Sequence, residues 1–264
     1  MRYILVFPLF LAFLIFVFAG CEKDNAPVRT EGTGILTIYL TDSPTFAKFD
    51  SVNITFSQIS AHLDSEWVMV LGETTTVNLR ELNNGKTIVF GSSEVPAGKY
   101  TQIRIKIDDA YVVMGDGQKH ILSVPSGART GLKLGSQFTI IEGFIHELVV
   151  DFNVDQSIVL TGPPDNPTGY KLKPHLRVIP KKISGSISGT ITNPDSLLVA
   201  FAIQNSDTIT TTLVNPVDGF FRLSFLSAGL YTVSIPDSVD RSARIDNVVV
   251  VAGINEDLGD ITLQ

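Results

Sequence analysis

The sequence predicts an all-β protein made of two consecutive antiparallel β-sandwich domains, residues 34–181 and 182–264. Three observations carry that expectation. From Gly34 onward apolar residues alternate with polar ones at period two, and clusters of Gly, Pro, Asn and Asp separate the short alternating runs. No stretch longer than a turn or two carries the apolar stripe of a helix. The chain has 264 residues, 44% of them hydrophobic, with 16 Phe, so it holds enough apolar surface for two ordinary cores.

The first element is not part of either sandwich. Met1-Arg2 is a short basic start, Tyr3 to Phe18 is almost unbroken apolar sequence, and Ala19-Gly20-Cys21 places small residues before the sole cysteine. With one cysteine the chain cannot form an internal disulfide, so the thiol has another fate. The segment resembles a bacterial lipoprotein signal, residues 1–20, with Phe18 where Leu is commonest. That resemblance implies cleavage before Cys21 and acylation of its thiol, several acyl chains together giving a stable anchor. An uncleaved membrane helix interrupted by Pro8 and ordinary secretion are the alternatives. Residues 21–33, polar and without periodicity, read as a tether. Glu22 rather than Asp after the cysteine is compatible, in such lipoproteins, with the outer membrane of a Gram-negative envelope.

Strands then follow in order. Ile35 to Leu40 is broken by Thr41-Asp42-Ser43-Pro44; Ser51 to Phe56, Glu66 to Val70 and Thr75 to Leu79 precede the turn Asn83-Asn84-Gly85 and the short strand Ile88 to Phe90. Pro96-Ala97-Gly98 launches the clearest alternation, with Tyr100, Ile103, Ile105 and Ile107, and Tyr111 to Met114 ends in Gly115-Asp116-Gly117. Ile121 to Val124, Phe138 to Ile141, His146 to Val154, Ser157 to Leu160 and Leu172 to Ile179 complete the first sandwich.

Pro180-Lys181-Lys182 reads as the seam. Beyond it Ile183 to Thr192, Leu197 to Gln204, Thr208 to Val214, Phe220 to Phe225, Leu230 to Ile235, Ala243 to Val251 and Leu258 to Leu263 outline a small immunoglobulin-like sandwich of about seven strands. Residues 182–264 hold four basic and nine acidic residues against thirteen and fifteen in residues 34–181. Pro96-Ala97-Gly98-Lys99-Tyr100 and Ser227-Ala228-Gly229-Leu230-Tyr231 echo each other. Each predicts a tyrosine at a sandwich corner, its hydroxyl bonded to nearby backbone.

Two family resemblances rest on these stretches. Gly34 to Pro44, Pro96 to Arg104, Val124-Pro125-Ser126-Gly127, Thr130 to Leu134, Leu148 to Phe152 and Leu172 to Val178 resemble the domain-of-unknown-function family numbered 4382, which occurs in bacterial envelope lipoproteins and implies no activity. Ile187 to Ile191, Asp218 to Leu223, Leu226 to Val233 and Val250 to Gly253 resemble the carboxypeptidase regulatory-like domain. That resemblance implies a transthyretin-like sandwich, non-catalytic, serving as an accessory to exported proteins.

The net charge of −7 and the lack of a Lys/Arg cluster exclude phosphate-backbone binding as the main role, so no nucleic-acid partner is expected. No nucleophile elbow or phosphate loop is present, and no enzyme is expected. His62, His120, His146 and His175 lie in separate segments without the spacing of a local zinc site. Asp151, Asn153 and Asp155 would share one strand face and could hold Ca²⁺, although the calcium-loop glycine and glutamate are missing; a solvated sheet face explains them more cheaply. No other cofactor is expected. Trp67 and Tyr170, with Tyr39, Tyr100 and Tyr111, are candidates for a sugar platform, and Thr161 to Tyr170 reads as an exposed loop. The expectation is a non-enzymatic envelope lipoprotein with a structural or protein-interaction role, its partners being the membrane through the anchor and other envelope proteins. The alternative is a module that binds glycan or another extracellular ligand. Oligomeric state is not legible.

Overall fold

The structure, a computed structural model, describes residues 32–43, 49–163, 168–194, 197–237 and 241–264. Cys21, the expected signal peptide and most of the expected tether lie outside the described residues.

Two β-rich regions carry separate cores. The first contains β1 (Thr33–Ser43), β2 (Phe49–Leu63), β3 (Glu66–Leu71), β4 (Thr75–Asn78), β5 (Ile88–Pro96), β6 (Gly98–Met114) and β7 (Lys119–Ser123). It continues through the short helix α1 (Ser126–Gly131), β8 (Leu132–Ile140), β9 (Ile145–Asn153), the single turn α2 (Val154–Ser157), β10 (Ile158–Thr161), β11 (Gly169–Leu172) and β12 (Leu176–Pro180). The second contains β13 (Ser184–Ile191), β14 (Val199–Gln204), β15 (Asp207–Leu213), β16 (Phe220–Ser227), β17 (Gly229–Pro236), β18 (Ser242–Val250) and β19 (Asn255–Ile261).

In the first region a sheet in the order β12-β9-β1-β5 faces a larger one in the order β10-β11-β7-β6-β2-β3, to which β4 and β8 add beside β2 and β6. Leu36, Ile38 and Leu40 from one sheet and Val52, Ile54, Phe56, Ile103 and Ile105 from the other are buried between them. In the second region β16-β13-β19 packs on β15-β14-β17-β18 over Ile187, Phe221, Leu223, Tyr231 and Val233.

The all-β sandwich class agrees with the sequence, but the sheets are mixed rather than purely antiparallel. β1 runs parallel to β9, β11 to β7, and β13 to β19. Period-two alternation is the same whichever way a neighbour runs, so it specifies faces and not orientation.

Two strands are also longer than their alternation suggests. In β2 the buried residues step from Phe56 to Ile59, and in β6 from Ile107 to Ala110, three residues where two would keep phase. The β2–β6 register shifts between Thr55 and Phe56, which stand opposite Asp109 and Ile107, and again between Phe56 and Gln58. An inserted residue at a bulge inverts the facing pattern while the strand continues. The run Leu172 to Ile179 divides, in contrast, into β11 of one sheet and β12 of the other, so the chain crosses the sandwich between them.

Both tyrosine corners are present. Tyr100 Oη donates to Pro96 O at 2.8 Å, and Tyr231 Oη donates to Ser227 O at 3.0 Å. Each phenol closes its turn by donating to a carbonyl four residues upstream.

Candidate functional site

The densest polar geometry lies where the two regions meet. Asp151 on β9 is 3% exposed. Arg177, its register partner on β12, donates from Nε to Asp151 Oδ2 at 2.7 Å, with its terminal nitrogen 2.6 Å from the same oxygen. The guanidinium also donates to Phe225 O at 2.9 Å and Ser224 O at 3.4 Å on β16. From β15, Thr210 Oγ1 donates to Asp151 Oδ2 at 3.3 Å. One buried carboxylate and one guanidinium thus tie β9 and β12 to two strands of the second region.

The turn at Asn83 and Asn84 makes a second tie. Asn83 Oδ1 accepts from Leu213 N at 3.1 Å, Asn84 Oδ1 accepts from Arg222 N at 3.0 Å, and the Thr212 hydroxyl lies 2.9 Å from both amide oxygens. Asn84 and Gly85 have φ of 57° and 75°, a left-handed pair that Asn and Gly tolerate. β15 is the edge of its sheet, and these amides bond the edge that would otherwise be open to another strand. The connection itself is pinned to the first region. Lys181 Nζ donates to Glu147 Oε1 at 3.0 Å and lies 3.8 Å from the Tyr39 ring centroid, while Tyr39 Oη donates to the same carboxylate oxygen at 2.7 Å. The hydrogen bond from Tyr39, then that from Lys181, lowers the Glu147 carboxyl below its ordinary value. Beside this seam opens a polar cleft of about 280 Å³, whose lining includes Lys181, Ser184, Arg222, Ser224 and Asn255.

This arrangement corrects the expectation that Asp151, Asn153 and Asp155 share one strand face. β9 ends at Asn153, and Asp155 lies on α2 rather than on the same strand face. Asn153 Oδ1 accepts from Gln156 N at 2.9 Å and caps that turn, and Asp151 faces Arg177. Among the described residues no group of three His, Cys, Asp or Glu side chains is placed to hold a metal ion. The competing expectation of a solvated face holds for Asp155, which is exposed, but not for Asp151 and Asn153, which are buried. Leu148, Val149, Val150, Asp151, Phe152 and Asn153 are all buried, so both faces of the strand are enclosed.

The sugar-platform candidates are dispersed. Trp67 on β3 and Tyr170 on β11 are separated by β7, β6 and β2 in the sheet order, roughly 19 Å at ordinary strand spacing. Tyr170 packs edge-on against Phe49 at 5.9 Å and tilts against His120 at 5.0 Å, a supporting role within its sheet. Tyr100 is buried, and Tyr39 belongs to the Glu147 and Lys181 cluster. Trp67 is half-buried on the outer face of the large sheet. Arg104 lies 4.3 Å and Lys133 5.7 Å from its ring centroid, and the His62 ring is 4.8 Å away. Arg104 and Lys133 are register partners on β6 and β8, so the sheet sets two cations beside one indole.

Arg177, Asn83, Asn84, Thr210 and Thr212 are the residues the sequence did not single out. Arg177 lies within one of the stretches that carry the family resemblance, and Asn83-Asn84-Gly85 is legible as a turn. Nothing in either pattern signals a docking role.

Comparison with solved structures finds distant likenesses. The TIE protein of Bacillus anthracis is 11% identical, with 88% of this chain and 34% of that one covered and a TM-score of 0.24; this chain spans about a third of its length. BcpA, the major pilin subunit of Bacillus cereus, is 10% identical over 88% of this chain and 70% of that one, with a TM-score of 0.22. A C-terminal fragment of the pilus adhesin SpaC from Lactobacillus rhamnosus GG is 8% identical over 87% and 97%, with a TM-score of 0.20. TM-scores this low carry no information on function. No curated protein matches the chain. The model of the family described as a domain of unknown function, DUF4382, matches residues 33–174, more than half of the 264 residues, and the chain belongs to that family.

Proposed function

We propose that this chain is a non-enzymatic lipoprotein of the bacterial cell envelope, anchored through Cys21 at the outer membrane and serving a structural or protein-interaction role. The observation that carries the reading is the sole cysteine standing directly after an apolar run and two small residues. The hydrogen bonds between the two regions support it, because they join both into one display unit at the end of a tether. Residues 182–264 act in this reading as a carboxypeptidase regulatory-like accessory module, which the seven strands β13 to β19 in two packed sheets support. Cys21→Ser is expected to abolish incorporation of labelled fatty acid and to release the protein from membranes, with its denaturation midpoint unchanged. Undiminished labelling of that variant would refute the anchor.

A second reading is favoured by one observation, the two cations and the histidine gathered around Trp67. An indole face and cations together suit a glycan bearing carboxylate or phosphate groups. Calorimetry of the full chain against acidic and neutral glycans should give heat with the acidic set only, and Trp67→Ala should remove it. Silence with every glycan eliminates this reading and leaves the anchor untouched.

A further inference from the structure

We infer that the turn from Ile141 to Ile145, together with Ile35, is an apolar tip that rests in the lipid surface to which the chain is anchored; this rests on the lipoprotein reading of Cys21. Ile141, Phe144 and Ile145 are 59%, 67% and 66% exposed, and Ile35 is 41% exposed. They form one patch. Ile35 and Ile145 are register partners in the parallel pair of β1 and β9, so their side chains leave the sheet on the same face, and Ile35 N donates to Phe144 O at 3.0 Å. A shallow groove of about 510 Å³, lined by Gly34, Ile35, Ser92, Glu94 and Gly143 among others, adjoins it.

The tip is held rigidly. Phe144 N donates to Ile141 O at 3.1 Å, and Gly143 N donates to Thr33 O at 2.9 Å. Gly143 has a φ of 74°, which the tight turn requires and glycine supplies without strain. The turn backbone also presses against β1, since a Cβ on Gly34 would stand 2.6 Å from Ile141 O. An aromatic and two isoleucines fixed in water without cover have no role in the fold of this region, whose core lies between the sheets.

The place where the chain enters the fold selects the occupant. The turn is bonded to Thr33, the first residue of β1, so the tip sits at the end from which the tether leaves. From Cys21 to Gly32 are eleven residue steps, at most about 40 Å when fully extended. A lipid-bound Cys21 therefore keeps this end of the molecule near the bilayer. Val89, also exposed, pairs with Tyr39 farther along β1 and away from the tether. Charge narrows the occupant further. The Glu94 carboxylate accepts from Thr33 Oγ1, and Glu142 lies against Gly32, so carboxylates rim the patch. Attraction to anionic headgroups is disfavoured, and insertion is driven by apolar transfer into a zwitterionic surface.

The test uses the full lipidated chain in phosphatidylcholine vesicles containing lipid brominated near the top of the acyl chain, after labelled fatty acid on Cys21 has been measured. Trp67 is half-buried among Arg104, Lys133 and His62, and the parent protein, with Trp67 as its sole tryptophan, is measured alongside as the control. In the Phe144→Trp variant the introduced indole is expected to emit at shorter wavelength and to lose intensity to brominated lipid, equally at low and high salt, while Trp67 in the parent is unaffected. Ile145→Trp is a second reporter should the first variant fold poorly. Labelled protein with no quenching at either position overturns the tip and leaves the anchor standing; absence of label overturns both. A blue shift without quenching by bromine, accompanied by concentration-dependent sedimentation, assigns the patch to a second copy and overturns the lipid assignment.

Discussion

Replacing Arg177 with Met is expected to destabilise the protein by about 3–5 kcal/mol, the range for breaking a buried ion pair from one side. Asp151 is 3% exposed, and two nitrogens of Arg177 address a single oxygen of it, Oδ2. Removing the guanidinium leaves the carboxylate in a site with little water and withdraws the donor from the carbonyls of Phe225 and Ser224. An exposed pair would give only about 0–1 kcal/mol. A loss that small in urea denaturation would therefore refute the seam as a buried electrostatic joint. The double variant Arg177→Met with Asp151→Leu should recover part of the loss, because it removes the orphaned charge together with its partner.

The same substitution tests whether the two regions unfold as one. Trp67 is the sole tryptophan and belongs to the first region, whereas far-ultraviolet circular dichroism reports on both. With Arg177 in place, the two probes are expected to follow one transition. In the Arg177→Met variant they should separate, since three of the bonds that cross the seam depend on that residue or on the carboxylate it neutralises. Coincident transitions in both proteins would mean that the Asn83 and Asn84 ties alone suffice.

Why the sandwiches were legible and the contacts between them were not follows from what period-two alternation records. It reports which residues alternate in apolar character, so Tyr100, Ile103, Ile105 and Ile107 stand out in the sequence, and all four are buried. It loses phase at a bulge, which is why β2 seems to stop at Phe56 and β6 seems to break near Asp108. It is silent on orientation, hence the parallel β1 and β9 pair. At the seam the outer face of β9 is buried too, and the polar residues Asp151 and Asn153 then look like a solvated or metal-binding face although they are enclosed. Long-range partners decide such a case: Arg177 lies 26 positions from Asp151, and Thr210 lies 59. The tyrosine corners were legible because they are local, each phenol reaching a carbonyl four residues back.

Tyr100 carries the second large expectation. Its side chain is 1% exposed, its ring stacks on Phe138 at 5.2 Å, and its hydroxyl donates to Pro96 O. Tyr100→Ala should lower stability by about 3–5 kcal/mol, as for a buried aromatic cut to Ala. Tyr100→Phe should lower it by about 0.5–1.5 kcal/mol, by removing one hydrogen bond to the carbonyl of a residue that is itself exposed. Alkali separates the two contributions of the phenol. Burial first, and the Asp64 carboxylate second, push its pKa up from 10.0 to about 12. A group whose folded pKa is raised contributes in full below its unfolded value, so this stabilisation is complete below about pH 10 and is lost as pH rises through 12. Two pKa units correspond to about 3 kcal/mol at most. Tyr231 is raised in the same direction, chiefly by burial, and adds to the alkaline loss in the second region. Urea midpoints between pH 9 and 12 should therefore fall steeply in the parent, less steeply in Tyr100→Phe, and least in Tyr100→Phe with Tyr231→Phe. If Tyr100→Phe keeps the parent's slope, its hydroxyl is reached by water and the corner contributes packing alone. A slope that flattens with each replacement identifies the two phenols as a shared alkaline limit on the two sandwiches, traceable to the same turn chemistry in each.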